Sequence, residues 1–132
     1  MTFLDANILL DIAQGQGEWF NWSSARLQER RGAGAFVINE VVYAEISVGL
    51  AAMERLEAFL DLLGVTLERS SKPALLLAAR AHLAYRRQGG TRLGVLPDFF
   101  IGAHAVHAGW PLLTRDARRY RAYFPTLEII AP

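Results

Sequence analysis

Five short apolar stretches, separated by segments with a helical pattern, limit the folds that this chain can adopt. The stretches are residues 2–5, 35–38, 65–67, 111–114 and 127–130. Short buried strands that alternate with helices form βαβ units, and such units build a mostly parallel sheet with helices on both faces. The sequence therefore predicts a three-layer α/β/α fold around a mostly parallel sheet of four to five short strands.

The segments between these stretches carry the apolar spacing of helices and the residues that commonly end them. We expect helices at 6–14, 18–31, 40–48, 51–63, 72–87, 97–108 and 116–123. Gly32, Gly64 and Gly109 follow the ends of three of these helices, where glycine is common. In an open parallel sheet the binding crevice lies beyond the carboxyl ends of the strands, so polar residues there are candidates for a functional site.

Length and composition restrict the class of protein. The 132 residues provide material for one domain, 1–132, and 52% of them are hydrophobic, as in a folded globular protein. The absence of cysteine excludes disulfides, thiolate zinc sites and cysteine nucleophiles. No apolar run reaches the roughly 18 residues of a membrane span, and the N-terminal segment lacks the basic leader of a signal peptide. We therefore expect a cytoplasmic protein with no membrane partner.

Three of the predicted strands end on polar residues. Asp5 and Asn7 follow the first strand, Asn39 follows the second, and Thr114 and Asp116 follow the fourth. Because parallel strands end at the same edge of a sheet, these residues can meet there although they are distant in sequence. Taken alone, Asp5 and Asp116 are each explained more simply as N-cap residues of the helices that follow.

Glu45 lies on the apolar face of a predicted helix. Its neighbours three and four positions away are Val41, Val42, Val48 and Gly49. An ionised carboxylate on such a face is costly unless positive charge meets it. The pattern leaves two interpretations equally open: a cation shared with other carboxylates, or a structural role at the rim or beside one of the thirteen arginines.

Asp98 lies in the first turn of the helix that Pro97 opens, where the helix dipole alone favours a carboxylate. One turn further on, the small residues Gly102 and Ala105 would let the helix lie close to the sheet. That approach would bring Asp98 to the edge that Asp5 faces.

Four carboxylates gathered at one edge of the sheet would repel one another unless a cation lay among them. The four are Asp5, Glu45, Asp98 and Asp116. Hard divalent ions such as Mg²⁺ or Mn²⁺ prefer oxygen ligands, and ions held in this way can promote phosphoryl displacement. The joint pattern therefore predicts a magnesium or manganese site.

Four stretches that carry these residues resemble the motifs of the PIN-domain ribonucleases and, within them, of the VapC-type toxins of type II toxin–antitoxin systems. They are FLDANILLD at 3–11, VINEVVYAEIS at 37–47, LPDFFIGAHA at 96–105 and PLLTRDARRY at 111–120. The stretches follow the order and spacing of the family over nearly the whole chain. Any one of them would be a weak signal, but four in order are specific.

The resemblance implies a metal-dependent endoribonuclease that hydrolyses RNA phosphodiester bonds with a metal-activated water. Asp5, Glu45, Asp98 and Asp116 would be its catalytic and metal-site residues, with Mg²⁺ or Mn²⁺ as cofactor. Asn7 and Thr114 would be supporting polar residues. The resemblance also implies a homodimer and a VapB-type antitoxin whose C-terminal segment blocks the site.

The arginines near Asp116 are candidates for contacts with RNA phosphates, because the guanidinium group binds phosphate through a planar fork. We single out Arg115 and Arg118, although a solvated helix face explains the same cluster. Glu40 stands where the family often has proline, and we favour a first-turn glutamate stabilised by the helix dipole over a fifth acidic residue of the site. His82, His104 and His107 are interpreted as packing or surface residues. Trp19, Phe20 and Trp22 are interpreted as residues of the core, with a groove for the antitoxin as the second interpretation.

Two other functions are compatible with the same fold. One is a non-catalytic PIN-like module that binds RNA or protein, although all four carboxylates are retained. The other is a metal-dependent phosphatase with an aspartyl nucleophile, which normally needs an acid where this chain has Asn7. The sequence leaves open the RNA target, the number of metal ions and the class of antitoxin.

Overall fold

The computed structural model describes residues 1–50 and 52–132. Five strands lie within these residues: β1 (Thr2–Leu4), β2 (Phe36–Ile38), β3 (Val65–Leu67), β4 (Leu112–Leu113) and β5 (Ile129–Ile130). The α-helices of the same residues are α1 (Ala6–Gln14), α2 (Glu18–Arg30), α3 (Glu40–Gly49), α4 (Met53–Leu63), α5 (Lys72–Arg87), α6 (Leu96–Ala108) and α7 (Arg118–Tyr123). Short 3₁₀ turns at Arg31–Ala33 and Leu93–Val95 complete the chain.

The strands form one sheet in the order β3-β2-β1-β4-β5, and every pair of neighbours is parallel. In the register of the central strand, Phe3 lies beside Val37 on one side and Leu112 on the other. Right-handed crossovers put α1 to α4 on one face of this sheet and α5 to α7 on the other. The predicted α/β/α fold is therefore confirmed, and its described strands are all parallel.

The sheet forms the centre of the hydrophobic core. Phe3, Leu4, Ile38, Leu112 and Leu113 are fully buried, because helices cover both faces of the strands that carry them. Among the helical residues buried against this sheet are Ile8, Leu9, Val42, Ile46, Phe99 and Ile101. A rigid sheet of this kind holds the carboxyl ends of β1, β2 and β4 at fixed positions.

The predicted starts of the last two helices differ from the structure, and α6 begins at Leu96, one residue before its predicted start. The predicted start at residue 51 lies outside the described residues, and α4 is described from Met53. The last helix begins at Arg118 rather than at residue 116 because side chains form a turn before it. In that turn, Thr114 Oγ1 accepts the amide of Asp116 at 3.1 Å, and Asp116 Oδ1 accepts the amide of Arg118 at 3.4 Å.

Gly102 controls a close approach between α6 and α7. A Cβ atom at this position would lie 2.4 Å from the ring of Phe124 and 3.1 Å from that of Tyr120. The sequence predicted that small residues let α6 lie close to the sheet, and in the structure Gly102 makes room for side chains of α7 and of the residue after it. Within the residues described here, none of the helices is both long and apolar enough to cross a membrane.

Candidate metal and active site

Asp5 is a buried carboxylate at the carboxyl end of the central strand. It occupies the N-cap position of α1, yet its side chain makes no capping hydrogen bond there. Instead Oδ2 accepts hydrogen bonds from Thr114 Oγ1 at 2.7 Å, Tyr120 OH at 2.9 Å and Asn7 Nδ2 at 3.3 Å. The simpler interpretation of Asp5 as a helix cap therefore does not describe what its side chain does.

Burial raises the pKa of Asp5 from its ordinary value of 3.8 to about 6. The hydrogen bond from Thr114 opposes this rise, the negative charge of Asp98 adds to it, and the hydrogen bond from Tyr120 opposes it again. A carboxylate with three hydrogen-bond donors on one oxygen is held in a fixed orientation, and its charge at neutral pH is still not fully compensated.

Asn7 and Thr114 connect the ends of β1 and β4. Asn7 Nδ2 lies 3.3 Å from Thr114 Oγ1, and Asn7 Oδ1 accepts the amide of Arg115 at 3.2 Å. Thr114 also accepts the amide of Asp116. These bonds put Asp116 beside the buried carboxylates, although its own side chain is exposed to solvent.

Glu45 is half-buried on α3, and its Oε1 atom is buried without a hydrogen-bond partner. No arginine or lysine of residues 1–50 and 52–132 forms an ion pair with Glu45. The alternative in which an arginine neutralises this carboxylate therefore does not hold for these residues. Burial first, and then the charges of Asp5 and Asp98, together raise the pKa of Glu45 from its ordinary value of 4.5 to about 7. An orphaned carboxylate oxygen of this kind is costly, and a cation would relieve the cost.

Asp98 lies in the first turn of α6 and forms an ion pair with Arg119. Its pKa is nevertheless raised, because the effect of burial exceeds that of the arginine and the charge of Asp116 acts in the same direction as burial. Arg119 therefore compensates Asp98 only in part.

The four predicted residues thus share one end of the sheet, and their charges act on one another. Their oxygens are the donors that Mg²⁺ and Mn²⁺ prefer, and the unpartnered Oε1 of Glu45 adds a free donor, so the residue types and the charge fit a divalent cation. The fit is incomplete in geometry: within the described part of the chain, no three acidic or histidine side chains are close enough to hold a metal ion together.

Comparison with known proteins identifies the family. The sequence profile of the PIN domain matches residues 2–125. The chain belongs to the PIN domain family. Proteins with this domain are typically nucleases and generally depend on a metal. No curated protein matches the sequence.

Solved structures with the same fold come from toxin–antitoxin complexes. VapBC2 of Rickettsia felis, bound to a DNA fragment of its promoter, superposes with a TM-score of 0.75 at 18% identity over 99% of this chain and 98% of that one. VapBC-1 of nontypeable Haemophilus influenzae gives 0.74 at 18%, and FitAcB of Neisseria gonorrhoeae gives 0.69 at 20%, each over 98% of this chain and 96% of the other. At these identities the likeness establishes the fold.

Tyr120 and Arg119 are two residues of this PIN domain site that the sequence did not single out. Tyr120 is buried on α7, and its pKa is raised well above 10 by burial first and by the negative charges of Asp5 and Asp98 after it. A signal for it was present, since Ala117, Tyr120 and Phe124 form a buried stripe at helical spacing. A tyrosine on such a stripe needs a partner for its hydroxyl, and Asp5 is that partner.

The two arginines predicted to bind RNA differ in position. Arg115 donates from Nε to Asp11 Oδ2 at 2.9 Å, and its guanidinium lies 4.9 Å from the ring centroid of Trp19. It is thus engaged with α1 and α2 and is not brought together with the carboxylates. Arg118 is exposed and lines a cavity with Asp116 and Arg119. Both assignments stay predictions.

Glu40 has a structural partner, since its carboxylate accepts hydrogen bonds from the amide and the hydroxyl of Ser70 at 3.0 and 3.1 Å. It anchors the loop after β3 and does not join the four carboxylates. His104 is buried beside Asn39 and Ser70, which agrees with its interpretation as a packing residue.

Replacing Tyr120 by phenylalanine is expected to weaken divalent metal binding severalfold. The change removes a hydrogen bond to the ionised form of Asp5, a bond worth about 1.5–3 kcal/mol when one partner is charged. The pKa of Asp5 should therefore rise above about 6. Calorimetric titration with Mn²⁺ would measure the affinity, and Tyr123→Phe is the matched control because its hydroxyl bonds to Gln88 at the surface. Equal affinities in wild type and Tyr120→Phe would show that the hydroxyl has no role in orienting Asp5.

Proposed function

We propose that this PIN domain, residues 1–132, is a divalent-metal-dependent endoribonuclease and the toxin of a toxin–antitoxin pair. The observation that supports catalysis most strongly is the buried Oε1 of Glu45, which lacks a partner beside the charges of Asp5 and Asp98. A protein selected only for stability would pair or replace such an oxygen. Retaining it is costly unless the site binds something positive.

The proposed chemistry is hydrolysis of an RNA phosphodiester. A bound Mg²⁺ or Mn²⁺ would supply positive charge to the phosphate oxygens and lower the pKa of the attacking water. Asp5 has Oδ2 engaged by Thr114, Tyr120 and Asn7, which leaves Oδ1 as the oxygen available for a ligand. Glu45, with a pKa of about 7, is the carboxylate best suited to accept or release a proton near neutral pH.

The proposed partners follow from the complexes in which the fold recurs. FitAcB and VapBC structures are toxin–antitoxin assemblies, and we extend that arrangement to this chain as a VapB-type antitoxin, a homodimer and a cytoplasmic location. Large apolar side chains exposed on α1, α2 and α4 are consistent with a protein partner. They include Leu10, Trp19 and Met53.

Two observations favour a second function, a non-catalytic PIN-like module that binds RNA or protein. Arg119 pairs with Asp98, and no three acidic or histidine side chains of the described residues converge on a common point. A site kept in that arrangement would bind anionic ligands at its rim without cleaving them.

A cleavage assay separates the two functions. Purified wild-type protein incubated with total RNA and Mn²⁺ should generate new RNA ends at defined sequences, which sequencing of the ends would map. Asp98→Asn should reduce cleavage by about a thousandfold, since it removes a charged ligand from the site. Asp61→Asn, the same change at an exposed position of α4, should leave cleavage unchanged. If wild type and Asp98→Asn produced the same ends, the endoribonuclease proposal would fail.

A further inference from the structure

A groove rich in arginine runs from the candidate site along α7, the loop at 88–95 and the end of α5. It consists of three cavities of about 280, 440 and 390 Å³. All three are lined by Arg92, and the first two also share Asp116 and Arg119. We call this surface the arginine groove and define it by four residues: Arg86, Arg92, Arg118 and Arg119.

The charge of the arginine groove is largely uncompensated. Of its four arginines only Arg119 forms an ion pair within the described residues, and its partner is Asp98. Among the residues that the structure describes, Asp116 is the one acidic side chain that lines any of the three cavities. Arg86, Arg92 and Arg118 are exposed, so their guanidinium groups are free to bind anions.

The backbone that carries Arg92 is anchored. The amide of Arg92 donates to Tyr85 OH at 3.0 Å, and a Cβ atom on Gly90 would lie within 2.4 Å of the ring of Tyr85. The loop is therefore packed on α5, and this packing keeps Arg92 where the three cavities meet. A solvated arginine on an unsupported loop would have no such fixed position.

Aromatic rings line the same groove. Tyr123 borders the first cavity, and His82 and Tyr85 border the third. The rings of Tyr85 and Tyr123 pack edge to face at 5.9 Å, and both residues are only partly buried. Arginines that can follow a phosphate backbone beside rings that can stack on bases are characteristic of surfaces for single-stranded nucleic acid, because paired bases cannot reach such rings.

We propose that the arginine groove binds single-stranded RNA on one side of the bond to be cleaved. Arg92 and Arg118 contact phosphates, unpaired bases lie against Tyr123, and Asp116 and Arg119 mark the end of the groove that opens on the carboxylates. This assignment rests on the proposed ribonuclease function. It names the residues that would bind the RNA and the form of RNA, single-stranded, that they would bind.

Binding of RNA can be measured without cleavage. A fluorescein-labelled single-stranded RNA of mixed sequence would be titrated with protein in the presence of a chelator, and anisotropy would report the affinity at several salt concentrations. Arg92→Glu and Arg118→Glu should each weaken binding roughly tenfold at low salt. Each should also reduce the slope of log affinity against log salt by about 0.7, the value for one phosphate contact on a single strand. Arg55→Glu, an equal change of charge at an exposed position of α4, should alter binding little.

Three results would overturn the proposal: unchanged binding in both groove variants, an equal loss in Arg55→Glu, or equally tight binding of duplex RNA of the same sequence. Failure of the proposed function looks different. If the wild-type protein bound single-stranded RNA through Arg92 and Arg118 but did not cleave it with Mn²⁺, the arginine groove would be supported and the ribonuclease function would be wrong. Conversely, both groove variants could bind RNA as wild type does and cleave it at the full rate. That result would contradict the arginine groove and support the nuclease.

Discussion

Replacing Asp5 by asparagine is expected to abolish RNA cleavage and, at the same time, to stabilise the protein at neutral pH. Cleavage should fall by about a thousandfold or more because the site loses a charged oxygen. Stability should rise because the carboxylate is buried beside Asp98 and has a pKa near 6 instead of 3.8, so holding it ionised costs about 2–3 kcal/mol. Asparagine keeps an oxygen that can accept from Thr114 and Tyr120.

The pH dependence of the gain separates this explanation from a general improvement in packing. At pH 4 the carboxyl group of Asp5 is protonated in the folded protein and about half protonated in the unfolded chain, so most of the stabilisation by asparagine should disappear there. Thermal unfolding of wild type and Asp5→Asn at pH 4 and pH 7.5, both in chelator, measures the effect. Asp61→Asn on the exposed face of α4 should show no such difference. A variant that is both inactive and less stable at pH 7.5 would mean that Asp5 is a structural residue.

Most of the fold follows from local sequence signals. The spacing of apolar residues changes clearly between strands and helices, and glycine follows three of the helices. The order of the elements and the parallel sheet could therefore be predicted. The start of the last helix could not, because Asp116 is equally suited to begin a helix and to accept the amide of Arg118 from a preceding turn. The choice depends on Thr114, whose hydroxyl is held by Asp5 across the sheet. A contact between residues so far apart leaves no local signal.

The sequence singled out the carboxylates that the structure places at one end of the sheet, but it did not single out the side chains that contact them. Glu45 stood out because a charge on an apolar helix face is unusual, and the structure leaves its Oε1 unpartnered. Arg119 did not stand out, because it is one of several arginines in a cluster and only the packing of α7 on α6 selects it to meet Asp98. Tyr120 reaches Asp5 because Gly102, which has no Cβ atom, leaves room on α6 for the rings of Tyr120 and Phe124. Which side chains contact the carboxylates therefore depends on how the helices pack, and the order of residues along the chain does not show this.

The stability of the metal-free protein is expected to fall as the pH rises from about 4 to about 7. Asp5, Glu45 and Asp98 all have raised pKa values, with Asp5 at about 6 and Glu45 at about 7. In this range the unfolded chain has released these protons while the folded protein still binds them, so each step in pH favours the unfolded state. The contribution of Asp5 alone is about 3 kcal/mol, from a shift of about two pH units.

Two other groups titrate in the opposite sense and must be separated from the carboxylates. Burial lowers the pKa of His104, and the hydrogen bonds of Glu40 lower its pKa against the effect of burial. Both therefore add stability as the pH rises. The double variant Asp5→Asn/Glu45→Gln retains these groups. Subtracting its unfolding free energy from that of wild type at each pH isolates the two carboxylates, and the difference should grow more unfavourable for wild type up to about pH 7.

Adding Mn²⁺ or Mg²⁺ should reverse this trend, because metal binds the deprotonated carboxylates of the folded state. At a metal concentration a hundred times the dissociation constant, the expected gain is about 2.7 kcal/mol at pH 7.5 and much less at pH 5, where protons compete. The double variant should gain little at either pH. If metal stabilised wild type and the double variant equally, the ion would be binding elsewhere. If neither responded, the repulsion among these carboxylates would need another explanation, and Arg119 beside Asp98 would be the first group to replace.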